Sequence, residues 1–212
     1  MKNPENTPSF LNIKEPVQKR SRETRRKIVE AARDLFTEMG FEETTTHLIA
    51  DKAGMSVGGL YAHFQNKEDI FLYILELRSK EVYQITLDSL KVIQEKNIAL
   101  DQALDHLYRT WYKAHTRHGK LNQEMLRFCM MNETAGKIHN YWEKAETDAV
   151  KSLIARYQED LAIADVDSAV TVVARSTHEV FHYLYREKDS VDENAVLTSL
   201  ITMVQRFLVK KN

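Results

Sequence analysis

The stretch TTHLIADKAGMSVGGLY, residues 45–61, contains two short helical patterns separated by a tight turn. Gly54 stands at the turn, where a glycine commonly follows the end of a helix. Ala50 is small where two helices must cross closely, and Ile49 and Leu60 are spaced to fill the gap between them. The pattern predicts two short helices crossing at a tight turn, a helix-turn-helix unit.

The residues around this stretch extend the helical pattern. Apolar side chains at positions 28, 31, 32, 35, 36 and 39 fall on one helical face, which predicts a helix over 21–39. Gly40 is expected directly after its end. Four polar residues have the type and position of residues that open helices: Ser21, Thr46, Ser56 and Asn66.

Proline and glycine usage indicates the fold class. All three prolines lie at positions 4, 8 and 16, and only six of the 212 residues are glycine. Long helices exclude both residue types from their interiors, whereas hairpin-rich folds need them at turns. The sequence therefore predicts an all-α protein, with further helices over 98–118, 121–134, 137–160, 167–187 and 193–209 and breaks near Gly119 and Gly136.

Charge is distributed unevenly along a chain whose net charge is only −1. The run from Lys19 to Lys27 carries six basic residues and one acidic residue. From Glu68 onward, 19 basic residues stand against 22 acidic ones. This asymmetry predicts an anionic partner for the N-terminal part of the chain alone.

The single cysteine, Cys129, excludes an internal disulfide and suits a reducing compartment. It is interpreted as a small core residue. The first residues carry no apolar segment of the secretory type, and no run of about 18 apolar residues predicts a membrane span. We therefore expect a cytoplasmic protein without membrane association.

The sequence resembles a known family over two adjoining patterns. Residues 28–40 read IxxAAxxLFxxxG, and residues 45–68 read TTxxIAxxAGMSxGxLYxHFxNKE. Together they resemble the DNA-binding signature of the TetR family of bacterial transcriptional regulators. The resemblance implies an N-terminal three-helix DNA-binding domain joined to a larger helical domain that binds an effector and dimerises.

In a helix-turn-helix unit the second helix enters the major groove of DNA, and the first lies across the backbone. Thr45 and Thr46 stand at a helix N-terminus, where hydroxyl and N–H groups suit phosphate oxygens. Gly58 and Gly59 allow close approach to the groove, at a helix-propensity cost of about 1 kcal/mol each. Val57 is placed to contact a thymine methyl group.

Polar side chains complete the predicted DNA-binding surface. Tyr61 and His63 are expected to hydrogen-bond phosphates, and Lys67 adds a cation at the start of the next helix. His47 and Ser56 are candidates for base recognition. The resemblance assigns the same roles to the matching positions. Phosphate or minor-groove contacts are also predicted for three arginines near the start of the first helix: Arg22, Arg25 and Arg26.

Simpler interpretations of these residues remain open at this point. The basic run Lys19–Lys27 has the composition of an ordinary solvated helix start. Tyr61 is close enough to Leu60 and Phe64 in sequence to be a core residue, and His63 to be an ordinary surface residue.

The resemblance also implies an effector pocket and a dimer. The last two long helices, residues 167–187 and 193–209, are expected to pack with their two-fold mates to form a homodimer. Core packing explains the aromatic residues of the middle helices equally well. Six residues are candidates for the pocket: Tyr108, Trp111, His115, Phe128, Trp142 and His178.

Residues 178–182 read HEVFH, a match to the HExxH pattern of zinc hydrolases. Such an enzyme would use His178 and His182 as ligands and Glu179 as general base, but it also needs a third protein ligand. No histidine follows His182. We therefore interpret the match as structural or pocket-forming, and keep a regulatory metal site as an alternative, with His115 and His118 as a second candidate pair.

These observations lead to one overall prediction. Residues 1–18 form a flexible tail, residues 19–66 bind double-stranded operator DNA, and residues 67–212 bind a small-molecule effector and dimerise. The family resemblance implies repression, and two-fold symmetry implies a palindromic operator with half-sites about 10 bp or a multiple apart. An activator is the main alternative. We expect no enzyme activity and no cofactor or catalytic metal.

Overall fold

The computed structural model describes residues 10–11, 13, 16, 18–117, 119–187 and 190–210, without the side chain of Tyr185. Most of the predicted tail and His118 lie outside these residues. The prediction of an all-α fold is confirmed. Among the described residues, no helix combines the length and the apolar character that a membrane crossing requires.

Nine α-helices follow one another along the described part of the chain, with one 3-10 segment at Ala155–Asp160. They are α1 (Lys19–Glu43), α2 (Thr46–Lys52), α3 (Val57–Tyr61), α4 (Lys67–Glu95), α5 (Leu100–Thr116), α6 (Gly119–Met131), α7 (Glu133–Ile154), α8 (Val166–Arg186) and α9 (Glu193–Leu208).

Helix α1 carries the predicted apolar stripe up to a break at Gly40. Ile28 and Phe36 are completely buried, whereas Met39 at the end of the stripe is 43% exposed. The backbone of Gly40 has φ 82° and ψ 175°, a conformation that glycine adopts without steric strain. The prediction of Ser21 as the N-cap is wrong, because the helix already begins at Lys19.

The two short helices have side-chain caps at their N-termini. Thr45, and not Thr46 as predicted, caps α2, because its hydroxyl accepts a 3.2 Å hydrogen bond from the N–H of Leu48. Ser56 caps α3 as predicted and accepts a 3.1 Å hydrogen bond from the N–H of Gly59. Ile49 and Leu60 are completely buried, so the predicted packing within this unit is confirmed.

The described residues divide into two compact units. The N-terminal unit comprises Pro4–Lys80 and Lys120–Tyr141, and the C-terminal unit comprises Glu81–Gly119 and Trp142–Asn212. Helix α4 therefore contributes its first half to one unit and its second half to the other. Nearly all of α6 belongs to the N-terminal unit together with the helix-turn-helix.

Four phenylalanines explain why α6 belongs to the N-terminal unit. The ring centroid of Phe128 on α6 lies 4.7 Å from those of Phe41 and Phe71, and Phe36 lies 4.9 Å from Phe71. The carboxylate of Glu124, also on α6, accepts a 3.2 Å hydrogen bond from the N–H of Phe41. Helix α6 thus packs against the break at the end of α1 and the start of α4.

The junction between α6 and α7 differs from the prediction. The chain breaks at Asn132, whose side-chain oxygen accepts a 2.9 Å hydrogen bond from the N–H of Ala135. The predicted break at Gly136 is wrong, because Gly136 lies inside α7. A Cβ at this position would stand 3.3 Å from the carbonyl oxygen of Cys129, so close packing accounts for the glycine.

The core of the C-terminal unit is built mainly from α5, α8 and α9. Leu184 and Val204 are completely buried, and Leu104 is 4% exposed. The hydroxyl of Tyr157 donates a 2.6 Å hydrogen bond to the carbonyl oxygen of Ile98 and so ties the 3-10 segment to the turn before α5.

Candidate nucleic-acid interface and ligand cavity

The short helices α2 and α3 present most of the predicted DNA-contact residues at the surface. Exposed members of this set are Thr45, His47, Ser56, Gly58 and Tyr61, together with Arg22 on α1. Half-buried members are Thr46, Val57, Gly59, His63 and Lys67.

A hydroxyl pair connects the two short helices on this surface. The Tyr61 hydroxyl lies 3.2 Å from the Thr46 hydroxyl, so the C-terminal end of α3 is tied to the N-terminal end of α2. Tyr61 is 49% exposed, which contradicts its interpretation as a core residue. Both hydroxyls retain acceptor capacity and stand where a partner can reach them.

Gly58 has no steric neighbour that would require a glycine. A Cβ at this position would meet no atom within 4 Å, whereas a Cβ at Gly59 would lie 3.4 Å from the Ser56 hydroxyl oxygen. Glycine inside a helix costs about 1 kcal/mol relative to alanine. The protein's own packing therefore does not account for glycine at position 58.

The structure contradicts the predicted DNA contact of Arg25. Arg25 is only 6% exposed. Its guanidinium carbon lies 5.6 Å from the ring centroid of Phe64 and 5.4 Å from that of Tyr73, within the range of cation–π attraction. The side chain therefore connects α1 to the segment that follows α3. Arg26 remains at the surface, where it pairs with Glu23 at 2.6 Å.

Lys67 has an internal role that the sequence did not reveal. Its ammonium donates hydrogen bonds of 2.8 Å to the carbonyl oxygens of Phe41 and Glu42 and lies 4.5 Å from the Phe41 ring centroid. These carbonyls directly follow the break at Gly40. Lys67 thus stabilises the end of α1 with two of the three N–H groups of its ammonium.

His63 is placed between the surface and the interior. Its pKa is lowered, first by burial and second by the positive charge of Arg25. The imidazole is therefore neutral at neutral pH, and it offers a partner a hydrogen bond and no charge.

A cavity of about 130 Å³ lies within the C-terminal unit, lined by residues of α5, α7 and α8 and by Leu208 of α9. Aliphatic and aromatic side chains form most of its wall. Four of the six predicted pocket residues line it: Tyr108, Trp111, His115 and His178.

The other two predicted pocket residues are not part of this wall. Phe128 lies in the N-terminal unit, packed on Phe41 and Phe71. Trp142 is 3% exposed, and its ring centroid lies 5.4 Å from that of Tyr83. Packing in the protein interior, the alternative interpretation from the sequence, accounts for both residues.

Buried hydroxyl groups cross the cavity wall. Tyr108 lies 2.9 Å from the hydroxyl of Thr177, which in turn donates to the carbonyl oxygen of Val173 at 2.7 Å. Burial raises the pKa of Tyr108 to about 12, although the hydrogen bond with Thr177 opposes the shift. Tyr108 is therefore a neutral phenol throughout the physiological range of pH.

The HEVFH segment forms a histidine pair on α8. The Nε2 atoms of His178 and His182 lie 3.3 Å apart. Glu179 points elsewhere, with 72% of its side chain exposed and a 3.8 Å contact to Arg186. Within the described part of the chain, no three His, Cys, Asp or Glu side chains are grouped to hold a metal ion.

Two acidic residues of the cavity wall were missed by the sequence reasoning. Glu143 and Glu146 line the cavity together with Thr147, Val150 and Ile154. These positions follow the i, i+3, i+4, i+7, i+11 spacing of a single helical face. The periodicity was available from the sequence, but the charge of its first two members hid the face.

Burial raises the pKa of the Cys129 thiol to about 11. The thiol is therefore protonated at neutral pH and a poor nucleophile. This agrees with the interpretation of Cys129 as a packing residue and gives no support to a redox role.

Two family models match separate parts of the chain. Residues 28–74 match "Bacterial regulatory proteins, tetR family". Residues 99–208 match "Tetracyclin repressor-like, C-terminal domain". The second match alone covers more than half of the chain.

Curated relatives and solved structures agree with these matches. The HTH-type transcriptional regulator SAUSA300_2515 of Staphylococcus aureus (strain USA300) is 30% identical over 106 residues, which span 42% of this chain and 57% of that protein. The match thus covers less than two thirds of the relative's length.

Two solved structures share the fold. A crystal structure from Mesorhizobium loti MAFF303099 has a TM-score of 0.75 at 17% identity, covering 91% of this chain and 100% of that one. SmeT, the repressor of the Stenotrophomonas maltophilia multidrug efflux pump SmeDEF, has in its triclosan complex a TM-score of 0.71 at 21% identity, covering 90% of this chain and 93% of that one. With both family models matched in order, the chain belongs to the TetR family and is a DNA-binding transcriptional regulator.

Proposed function

We propose that this regulator is a ligand-responsive repressor. In this proposal a homodimer binds a palindromic operator, and a small molecule bound in the cavity of the C-terminal unit lowers the affinity for DNA. The observation that carries the proposal is the internal cavity, which lies in the same chain as the exposed helix-turn-helix. A DNA-binding protein has no need of such a cavity unless its occupancy matters.

The DNA contacts of the proposal come from α2, α3 and the start of α1. Gly58 supports close approach of α3 to the groove, because nothing within the protein requires a glycine there. Val57 and Ser56 would face base edges, while Thr45, Thr46, Tyr61 and His63 would face phosphates. Arg22 would add a phosphate contact, and Arg25 is withdrawn from the set.

The dimer of the proposal is formed by α8 and α9. Four large apolar residues on these helices are exposed in the single chain: Val172 at 58%, Tyr183 at 39%, Met203 at 50% and Phe207 at 44%. Exposed apolar surface of this kind supports association with another chain. A two-fold dimer would use the same surface on both copies and would set the separation of the two α3 helices.

The regulation of the proposal is a two-state equilibrium. A ligand lowers DNA affinity only to the extent that it prefers the conformer with wrongly spaced α3 helices. Linkage then requires that operator DNA weakens ligand binding by the same factor. Helix α4 contributes residues to both units and is the natural connection between them.

Selection from a random duplex library tests the DNA-binding part of the proposal. We expect enrichment of a palindromic site, one dimer per site by analytical ultracentrifugation, and affinity that falls steeply with salt. A reporter placed behind the selected site then distinguishes repression from activation. A monomer in solution, or a library without an enriched site, would contradict the proposal.

A further inference from the structure

The hydroxyl groups around the cavity have used their protons inside the protein. Thr177 donates to the carbonyl oxygen of Val173, so its 2.9 Å hydrogen bond with Tyr108 must use the Tyr108 proton. Thr147 likewise donates to the carbonyl oxygen of Glu143 at 2.9 Å. Tyr108 and Thr147 can therefore offer a ligand only acceptor oxygens.

The ring nitrogens of the wall follow the same rule. The Nε1–H of Trp111 donates a 2.9 Å hydrogen bond to the hydroxyl of Thr86. Nδ1 of His115 lies 3.0 Å from the carbonyl oxygen of Trp111, which places its proton on Nδ1. The Nε2 atom of the neutral imidazole is then an acceptor.

Carboxylates are the permanent charges of the wall. Glu143 and Glu146 lie three residues apart on α7 and both line the cavity, and the described lining residues include no lysine or arginine. Arg175 pairs with Glu143 at 2.9 Å, but 68% of its side chain is exposed to solvent. Carboxylates beside apolar walls favour a cation in the space between them.

The remaining wall selects the body of the ligand. The rings of Trp111, Tyr108 and Phe181 suit an aromatic group, and aromatic faces attract ammonium groups as well. A cavity of about 130 Å³ is close to the size that encloses one benzene ring. We propose that the cavity binds a small organic cation, with one aromatic ring and an ammonium group that donates hydrogen bonds.

This inference rests on the proposed function, because it specifies the chemical class of the effector. Direct binding to the DNA-free protein tests it without any assumption about the operator. The probes are benzylammonium, its neutral analogue ethylbenzene and its anionic analogue benzoate, measured by calorimetry or ligand-observed NMR at neutral pH. We expect benzylammonium to bind at least about tenfold more tightly than either analogue, as charge-assisted hydrogen bonds imply.

Isosteric variants show whether the preference arises in the cavity. Glu146→Gln is expected to reduce the preference for benzylammonium over ethylbenzene by about tenfold while ethylbenzene still binds, which shows that the cavity is intact. Glu179→Gln makes the same charge change on α8 outside the cavity wall and is expected to leave the preference unchanged. Equal binding of the three probes, preferred benzoate binding, or an unaltered preference in Glu146→Gln would overturn the inference.

The failure of the inference can be distinguished from that of the proposed function. Charge-selective binding of benzylammonium without release of the selected operator would support the ligand class and contradict the effector role. Operator release by a neutral or anionic compound bound in this cavity would support regulation by ligand and contradict the cation.

Discussion

The ammonium of Lys67 donates a 2.8 Å hydrogen bond to the carbonyl oxygen of Phe41, which lies 26 residues earlier in the chain. The bond fixes the first residue of α4 to the segment that follows the break at Gly40. The sequence suggested a phosphate contact for Lys67, whereas the structure gives it a part in the N-terminal unit's own stability.

Lys67→Ala is therefore expected to lower the free energy of unfolding by about 1–3 kcal/mol, because it removes two charge-assisted hydrogen bonds. Urea denaturation measures this change. DNA affinity should fall in the same variant. Lys91→Ala is the matched control, since 73% of the Lys91 side chain is exposed. A variant that loses DNA affinity with undiminished stability would assign Lys67 to DNA contact alone.

Gly58→Ala is expected to separate stability from function. Alanine should stabilise the fold by up to about 1 kcal/mol, because a Cβ at Gly58 meets nothing within 4 Å and alanine is the better helix former. The same methyl group should weaken operator binding if α3 approaches the groove closely. Thermal unfolding and fluorescence anisotropy measure the two effects.

The control for this experiment is Gly54→Ala in the turn. Gly54 has φ 68°, so alanine there is expected to destabilise the protein by about 1 kcal/mol or more. Unchanged DNA affinity in Gly58→Ala would remove the argument for close approach.

Arg25 and Arg22 are expected to respond in opposite ways to substitution. Arg25→Ala should destabilise the protein by about 2 kcal/mol, because Arg25 is buried between two aromatic rings. Arg22→Ala should leave stability within about 0.5 kcal/mol, weaken DNA binding and reduce the salt slope by about 1. Denaturation and salt titrations of both variants decide the matter, and interchanged phenotypes would refute this assignment.

The lowered pKa of His63 makes stability depend on pH. The unfolded chain binds a proton at His63 near pH 6.5, while the folded protein binds it only at a lower pH. Between these two pKa values the unfolded state holds more protons, so stability falls as the pH is lowered through about 6.5. His63→Gln should flatten the stability profile in this window, and a slope identical to that of the unsubstituted protein would contradict the shift.

Several elements of the fold follow from short-range patterns in the sequence. Ser56 caps α3, because a cap needs only its own hydroxyl and an N–H three residues later. Ile49 and Leu60 are buried as expected, since helical periodicity places them on the inner face. The choice between Thr45 and Thr46 as the cap of α2 was wrong by one residue, as both have the same chemistry and only the backbone geometry differs.

Long-range packing governs the features that the sequence did not reveal. A basic run indicates that Arg25 is charged, but its burial depends on Phe64 and Tyr73, which reach it from elsewhere in the chain. Phe128 resembles a pocket aromatic until its neighbours, Phe41 and Phe71, are known. Local spacing thus establishes helices, caps and the family signature, because these depend on residues a few positions apart. The direction in which each side chain points depends on contacts between distant segments, and those form only when the helices pack.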